Sequence, residues 1–260
     1  MDLGIKDRIA IVTGGTKGIG IGIVRAFAAE GAIPVIVNRP GPEGHDLVRE
    51  LESEGGRCLY IPAELAREED CRKVVETTAN EFGGIDILVN NAGYNDTVGL
   101  DRSPAEFMES VHNNLFHYFA LAHFALPYLT KSTGTIVNIG SHVSITGQGG
   151  TSGYAAAKGA INALAREWGA DLAEVGIRVN TVVPGSVWTN SYVKWAAKFP
   201  DPEARRRLAE TKIPLGRRFT TVEEIASMVV FLASPRSGHT TGQIIVPDGG
   251  YSHLDRALTS

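Results

Sequence analysis

Cysteine is scarce in this chain, and long apolar runs are lacking. Its only cysteines are Cys58 and Cys71, and their spacing is not that of a metal site, so we expect no bound metal and a reducing compartment. No apolar run approaches the roughly 20 residues that a helix needs to cross a bilayer. Residues 1–7 lack the features of a signal peptide. We therefore expect a cytoplasmic protein that does not enter a membrane.

Neither sign of charge is in large excess. The chain has 25 Lys and Arg against 29 Asp and Glu, a formal charge of −4. The absence of a basic surplus or a basic block argues against nucleic acid and membrane surfaces as partners. No linker rich in proline, serine or charge divides the sequence, so we expect one domain over residues 1–260 that binds small molecules.

Glycine, by contrast, is abundant, and one group of glycines follows a strand pattern at once. Residues 8–13 are rich in β-formers, and the next segment is Gly14-Gly15-Thr16-Lys17-Gly18-Ile19-Gly20, followed by a helical pattern to residue 30. A strand, a glycine turn and a helix can bind a pyrophosphate, because glycine lets the backbone approach and the helix start offers free N–H groups. The spacing is not Gly-x-Gly-x-x-Gly, and a plain tight turn is the alternative interpretation.

Strand and helix patterns alternate over the rest of the chain. Further strands are predicted at residues 33–37, 58–61, 85–89, 135–140, 177–183 and 243–246. Helices are predicted at residues 42–54, 68–82, 104–129, 154–174 and 222–232, with a bend near Asn113-Asn114. This alternation predicts an α/β fold with a doubly wound parallel sheet.

The end of the second predicted strand bears on the choice of nucleotide. It reads Asn38-Arg39-Pro40, whereas an acid at this place favours the free ribose hydroxyl of NAD. Arg39 is a planar cation suited to a 2′-phosphate, and Lys17 in the glycine turn is a second candidate. The pattern favours NADP over NAD, and the alternative is that both side chains are ordinary solvated charges.

A hydroxyl, a phenol and an amine follow the predicted strand 135–140. Ser141 stands directly at its carboxyl end, where open α/β sheets hold their ligands. Tyr154 and Lys158 lie one helical turn apart on one face. A phenol is a weak base at neutral pH unless a nearby cation favours the phenolate, and Lys158 is placed to supply it. We predict an active site, although a Tyr–Lys pair alone is more often a half-buried ring beneath a solvated amine.

Two further features are open to more than one interpretation. Asn114 lies in an apolar helical pattern, where a buried amide needs partners, so it either bonds a neighbouring backbone or belongs to a proton path. The segment of residues 186–217 has no strand pattern but several aromatic residues. We predict a substrate lid there, with an oligomer contact as the alternative.

Taken in order, these motifs resemble those of the short-chain dehydrogenase/reductase family over essentially the whole chain. The resemblance rests on Thr13-Gly14-x-x-x-Gly18-Ile19-Gly20, Asn90-Asn91-Ala92-Gly93, Asn114, Ser141, Tyr154-x-x-x-Lys158, Pro184-Gly185 and Asp248-Gly249-Gly250. It implies a seven-stranded Rossmann-type sheet and a homotetramer. It also implies that Tyr154 is the general acid/base, that Ser141 orients the substrate oxygen, that Lys158 lowers the phenol pKa and holds the nicotinamide ribose, and that Asn114 orders a relay water.

The resemblance further implies which residues hold NADP or NAD. They are Gly14, Lys17, Gly18, Ile19, Gly20, Asn38, Arg39, Glu64, Leu65, Asn91, Ala92, Gly93, Tyr154, Lys158, Pro184, Gly185, Val187 and Thr189. One departure from the family pattern occurs at Glu64, because the family usually has an adenine-binding Asp near this position.

The substrate is indicated by polar residues around the predicted site. A polyhydroxylated substrate would explain the polar residues His142, Ser144, Gln148, Asn95 and His253. We expect substrate contacts from Ser141, His142, Gln148, Tyr154 and Trp188. The segment after Asp248 resembles sugar dehydrogenases of this family, especially those that act on L-fucose and related aldoses, which they oxidise to lactones. The alternatives are a 3-oxoacyl-acyl-carrier-protein reductase, a small-ketone reductase, and a catalytically silent nucleotide-binding redox sensor.

Overall fold

The structure, a computed structural model, describes residues 2–255. Its strands are β1 (Ile9–Thr13), β2 (Ile33–Asn38), β3 (Leu59–Pro62), β4 (Ile87–Asn90), β5 (Thr135–Ile139), β6 (Arg178–Val182) and β7 (Ile244–Ile245). They form one seven-stranded sheet in the order β3-β2-β1-β4-β5-β6-β7. Every neighbouring pair is parallel, which confirms the predicted doubly wound sheet.

Helices cover both faces of this sheet. They are α1 (Gly18–Ala29), α2 (Pro42–Ser53), α3 (Glu68–Phe82), α4 (Pro104–Val111), α5 (His117–Ser132), α6 (Ser152–Asp171), α7 (Asn190–Ala196), α8 (Pro202–Glu210) and α9 (Val222–Ala233). One apolar core lies between the sheet and α1, α2 and α9. A second lies between the other face and α3, α5 and α6. Because both faces are buried, the strands are nearly continuous apolar runs.

The predicted elements agree with the structure except at some boundaries. Strand β4 begins at Ile87 rather than Ile85, and α6 ends at Asp171 rather than Glu174. The bend predicted near Asn113-Asn114 is a π-helical turn, His112–Phe116, between α4 and α5. A π-turn adds one residue to a helical turn and rotates the side chains that follow it.

Within residues 2–255, no helix combines the length and the apolar character that are needed to cross a bilayer.

Candidate active site

The candidate site lies where the strand order reverses, between β1 and β4. Helices leave these strands on opposite faces, so a crevice opens at the carboxyl ends of the strands. Loops from four strands converge there. The Asn91 side-chain amide donates to the Thr13 carbonyl at 2.8 Å, and the His142 N–H donates to the Pro184 carbonyl at 3.2 Å.

The glycine turn after β1 has the geometry that an anion requires. Gly14 and Gly18 have φ angles of +64° and +57°, and a Cβ on Gly20 would lie 2.1 Å from the Gly14 carbonyl oxygen. Lys17 is the N-cap residue of α1, but no side chain caps this helix and its first turn holds no acid. The first N–H groups of α1 are therefore available to a phosphate.

An orphaned hydroxyl marks the same turn. Thr16 Oγ1 is buried and has no hydrogen-bond partner among residues 2–255. A buried hydroxyl without a partner is costly unless a ligand satisfies it. Together with the uncapped helix start, this hydroxyl shows that the turn fits the pyrophosphate of a dinucleotide.

Thr13 joins the glycine turn to the end of β4. Its hydroxyl accepts the N–H groups of Asn91 and Ala92 at 2.8 and 3.0 Å. A Cβ on Gly14 would lie 3.1 Å from Ala92 Cα. Asn91 and Ala92 are thus fixed against the turn, at the place predicted to meet the cofactor.

The two predicted cations, Lys17 in the glycine turn and Arg39 after β2, are both exposed. Arg39 follows β2, and its carbonyl accepts the Tyr60 hydroxyl at 2.9 Å. The Gly15 N–H donates to the Val37 carbonyl at 3.2 Å, which holds the turn beside the end of β2. Neither Lys17 nor Arg39 takes part in an ion pair found among residues 2–255. Asn38, the last residue of β2, is half-buried beside them.

The loop after β3 holds the predicted adenine contacts. The Leu65 side chain is buried in the core, whereas Glu64 is half-buried. Asp70 lies in the first turn of α3, and its carboxylate accepts the Glu64 N–H at 2.8 Å. This hydrogen bond holds the loop against the start of α3.

One face of α6 carries the predicted catalytic pair. Tyr154, Lys158 and Asn162 follow one another at intervals of four, as residues on one helical face do. Asn162 Nδ2 donates to Ser144 Oγ at 2.8 Å, and Ser144 Oγ donates to the Ser141 carbonyl at 2.6 Å. The helix therefore also holds the turn that carries Ser141.

The hydroxyl of Ser141 lowers the pKa of the Tyr154 phenol. Burial has the larger effect and raises the pKa of Tyr154 to about 12, with smaller increases from Tyr192 and Asp96. A phenolate at this position consequently needs a stabilising cation, and the nearest candidate is Lys158, whose Nζ lies 5.6 Å from the ring centroid.

Lys158 is itself deeply buried, with 2% of the residue exposed. Burial lowers its pKa to about 7, because the ammonium loses its hydration. Its Nζ donates to Tyr118 Oη at 2.9 Å and to the Ile139 carbonyl at 2.8 Å. The phenolate of Tyr154 and the ammonium of Lys158 would stabilise each other, since both charges are desolvated.

Asn114 lies within the π-helical turn and is fully buried. Its Oδ1 accepts the Tyr94 N–H at 2.8 Å, and its Nδ2 donates to the Ser110 carbonyl at 3.0 Å. These bonds show the structural role of Asn114. A Cβ on Gly93 would lie 3.1 Å from Asn114 Oδ1 and 3.5 Å from Lys158 Nζ, so the amide and the amine also border the same small space.

The segment after β6 passes over the glycine turn. Pro184 and Gly185 are buried at the end of the strand. Val187 forms an isolated bridge with Thr220, and Thr189 is the N-cap residue of α7. A Cβ on Gly18 would lie 3.8 Å from Thr189 Cγ2, which brings Thr189 next to the start of α1.

We call residues 186–217 the lid segment, and it contains α7 and α8. Its aromatic rings pack on Phe219, which lies just beyond the segment: the Trp188 and Phe219 ring centroids are 5.0 Å apart, and those of Tyr192 and Phe219 are 5.3 Å apart. The Arg206 guanidinium lies 4.6 Å from the Trp188 ring centroid. Trp188 is thus held within this cluster by its neighbours.

The remaining predicted substrate contacts come from the loop before α6 and the turn before it. Gln148 is exposed in that loop. The His142 ring packs edge-on against Tyr251, with centroids 5.6 Å apart. Asp248 holds the chain near Tyr251 by accepting the N–H groups of Gly250 and Ser252 at 2.8 and 2.7 Å.

Comparison with protein families identifies this arrangement. A family model described as enoyl-(acyl carrier protein) reductase, which represents short-chain dehydrogenases/reductases, matches residues 14–252. The chain belongs to the short-chain dehydrogenase/reductase family. As a member of it, the protein is a nicotinamide-dependent oxidoreductase that acts on CH–OH groups.

The names of two relatives indicate different substrates. The L-fucose dehydrogenase of Bos taurus is 38% identical over 244 residues, which cover 93% of this chain and 88% of the relative. A 3-oxoacyl-acyl-carrier-protein reductase of Thermotoga maritima is 37% identical over 249 residues, covering 95% of this chain and 98% of the relative.

Solved structures show the same fold over the whole chain. The crystal structure of the Cj0485 dehydrogenase is 47% identical, with a TM-score of 0.95 and complete coverage of both chains. The L-sorbose reductase of Gluconobacter frateurii, in complex with NADPH and L-sorbose, is 28% identical, with a TM-score of 0.93 and coverage of 98% and 100%.

Four side chains near the site of this dehydrogenase/reductase were not predicted from sequence. Tyr118 contacts Lys158, and its neighbour His117 places Nε2 3.1 Å from the Ala92 carbonyl. Asp96 accepts the Ser110 hydroxyl at 2.9 Å, and Tyr192 donates to Ser186 Oγ at 2.9 Å. The sequence signal for His117 and Tyr118 is that two polar rings follow Asn114 in an apolar helical pattern. Tyr192 is one of the aromatic residues of the predicted lid.

Proposed function

We propose that this enzyme oxidises an aldose such as L-fucose to its lactone, with Tyr154 as the general acid/base. The observation that carries the proposal is the arrangement of half-buried Ser141 and Tyr154 with buried Lys158 at the carboxyl end of β5. Polar groups around it, including Asp96 and Tyr192, support a polyhydroxylated substrate. The L-fucose dehydrogenase and L-sorbose reductase relatives point to the same substrate class.

In this mechanism the chain handles the proton. Ser141 orients the anomeric hydroxyl of the sugar, and the Tyr154 phenolate takes its proton as the C–H bond at the anomeric carbon breaks. Lys158 stabilises the phenolate, and Asn114 would order the water that returns the proton to solvent. Bound NADP or NAD supplies the hydride acceptor.

The residues proposed to bind the cofactor are distributed along the crevice. The glycine turn and the start of α1 would hold the pyrophosphate, and Asn38, Arg39, Glu64 and Leu65 would lie around the adenosine. Asn91, Ala92, Gly93, Pro184, Gly185, Val187 and Thr189 would enclose the nicotinamide end. Because Lys17 and Arg39 are exposed cations without ion pairs among the described residues, we propose NADP as the preferred cofactor.

The substrate contacts proposed for the sugar are Ser141, His142, Gln148 and Tyr154, together with Trp188 of the lid segment. We also propose that the enzyme is a cytoplasmic homotetramer. Light scattering on the purified protein tests the assembly, and a monomer or dimer would contradict it.

Absorbance of reduced nicotinamide tests the reaction directly. Purified protein is mixed with NADP or NAD and a panel of aldoses led by L-fucose, with Tyr154→Phe as the inactive control. Turnover of one sugar with lactone formation is the expected result. Cofactor binding without turnover of any aldose would contradict the sugar assignment and leave the oxidoreductase class standing.

The acyl-carrier-protein reductase is the second candidate, because a relative of that name covers nearly the whole chain. Its test is the oxidation of NADPH with an acetoacetyl thioester. Faster turnover of the thioester than of any sugar would select this function over the first.

Arg39 tests the cofactor preference. The variant Arg39→Ala is expected to raise the KM for NADP by about tenfold or more and to leave the KM for NAD nearly unchanged, since the guanidinium would meet only the 2′-phosphate. Arg67, an exposed arginine at the N-cap of α3, provides the matched control Arg67→Ala. Equal effects of Arg39→Ala on the two cofactors would refute this role.

A further inference from the structure

Tyr118 is buried beside the proposed catalytic lysine. None of its surface is exposed, and its hydroxyl donates to the Ile139 carbonyl at 2.9 Å. The same hydroxyl accepts a hydrogen bond from Lys158 Nζ at 2.9 Å, and Nζ also donates to the Ile139 carbonyl at 2.8 Å. The phenol, the amine and the carbonyl therefore form a closed triangle at the end of β5.

This triangle determines where the remaining donor of the lysine points. An ammonium has three N–H donors, and two of them are directed to Tyr118 and Ile139. The third has no acceptor among residues 2–255, and Nζ lies 5.6 Å from the Tyr154 ring centroid. A single acceptor would not fix the ammonium in this way, because Nζ could rotate about its last bond.

The π-helical turn explains how Tyr118 reaches this position. It ends at Phe116, and the next two residues, His117 and Tyr118, are both buried although they are adjacent on a helix. Their rings are 4.9 Å apart. His117 reaches the carbonyl of Ala92 just after β4, and Tyr118 reaches that of Ile139 at the end of β5.

The Tyr118 phenol is uncharged, so it does not compensate the positive charge of Lys158. Burial raises the pKa of Tyr118 well above its usual value, so the phenol stays neutral and cannot neutralise the ammonium as a carboxylate would. The titratable groups placed against Lys158 are Tyr154 on α6 and His117 and Tyr118 on α5. Burial lowers the pKa of His117 to about 4, so His117 adds no positive charge near neutrality.

We propose that Tyr118 is a positioning residue that anchors the Lys158 ammonium against the Ile139 carbonyl and aims its remaining donor at Tyr154 and the cofactor ribose. The inference rests on the proposed role of Lys158 in catalysis. The hydroxyl also favours the charged form of Lys158, because an acceptor stabilises an ammonium more than an amine. Tyr118 thus acts on the proton transfer through Lys158 without touching the substrate.

The test compares Tyr118→Phe with Tyr128→Phe, a matched loss of one hydroxyl from a half-buried tyrosine of the same helix. The titration of Lys158 is followed by NMR in cofactor-free protein with labelled lysine side chains, assigned with Lys158→Arg. We expect a lower Lys158 pKa in Tyr118→Phe and no change in Tyr128→Phe. An unchanged Lys158 titration in Tyr118→Phe, even with a lower melting temperature, would show a merely structural role.

Kinetics give the second readout. In Tyr118→Phe, we expect kcat/KM for oxidation at neutral pH to fall about tenfold and the apparent pKa of the oxidation profile to rise by up to about one unit. A uniform loss of activity with an unshifted profile would overturn the proposal. If no sugar is turned over, the proposed function fails, and the NMR titration still decides the role of Tyr118.

Loss of folding in Tyr118→Phe would not prevent the test. Incorporation of 3-fluorotyrosine at position 118 keeps the hydroxyl and weakens it as an acceptor. The expected change in the Lys158 titration then has the same direction and a smaller size. No change with either variant would refute the proposal.

Discussion

The floor of the site, formed by Ser141, Tyr154, Lys158 and Tyr118, differs from the lid segment above it. In the floor, Lys158 and Tyr118 are buried, and both donate hydrogen bonds to the backbone carbonyl of Ile139. In the lid segment, partly exposed rings pack on one another and on arginine side chains. Hydrogen bonds restrict both the distance and the angle between two groups, whereas the burial of apolar rings is not directional.

This difference separates two tasks. In the proposed mechanism, the floor positions the groups that move a proton, for which a small displacement is costly. The lid segment is proposed to contribute shape and contact area, which would decide which substrate is held. Substitutions in the floor are therefore expected to change kcat for every substrate, and those in the lid segment to change KM for particular ones.

The largest effect is expected from Tyr154→Phe. Loss of the phenol removes the general acid/base, so kcat should fall about 10³-fold for every substrate while the affinity for cofactor is kept. Stopped-flow kinetics and a fluorescence titration of the cofactor measure the two quantities. Substantial activity in this variant would contradict the assignment and would revive the interpretation as a silent redox sensor.

A smaller effect is expected from Trp188→Ala in the lid segment. The change removes a ring that packs on Phe219 and Arg206, so the KM for the sugar should rise about tenfold while kcat changes little. Trp188→Phe keeps most of the packing and serves as the control. An equal fall of kcat in both variants would remove the proposed difference between lid and floor.

A shift in pH dependence is expected from Asp96→Asn. Asp96 contributes to the raised pKa of Tyr154, so the neutral variant should lower that pKa and move the oxidation profile to lower pH by less than about one unit. The exposed acid Asp101 gives the control Asp101→Asn. A shift to higher pH would show that Asp96 acts on Tyr154 in another way.

The smallest effect on catalysis is expected from Thr221→Ala, just beyond the lid segment. Thr221 and Glu224 form a capping box at the start of α9, so the variant should lose about 1 kcal/mol of unfolding free energy with kcat unchanged. Ser103→Ala removes the equivalent cap of α4 and should cost a similar amount. Chemical denaturation measures the unfolding free energy of both variants. A large fall of kcat in Thr221→Ala would show that the start of α9 affects catalysis.

Much of the architecture could be predicted because its causes are local. Apolar runs of five or six residues, helical periodicity and the glycine turn are determined by neighbours in sequence, and the doubly wound sheet follows from their alternation. The spacing of Tyr154 and Lys158 places both on one helical face. The bend at Asn113-Asn114 was also predicted, since two polar amides interrupt an apolar helix.

The triangle around Lys158 could not be predicted in this way. Tyr118 is 40 residues from Lys158, and their contact depends on how the π-helical turn rotates α5 against the end of β5. The pairing of Asp96 with Ser110 likewise joins a loop to a helix across the site.

The sequence by itself determined the strand and helix pattern, the family and the placement of Tyr154 and Lys158 on one helical face, because these depend on residue types at short fixed spacings. Only the tertiary structure decided which groups surround that pair. Burial and hydrogen-bond partners come from distant parts of the chain, and they determine the pKa values of Tyr154 and Lys158.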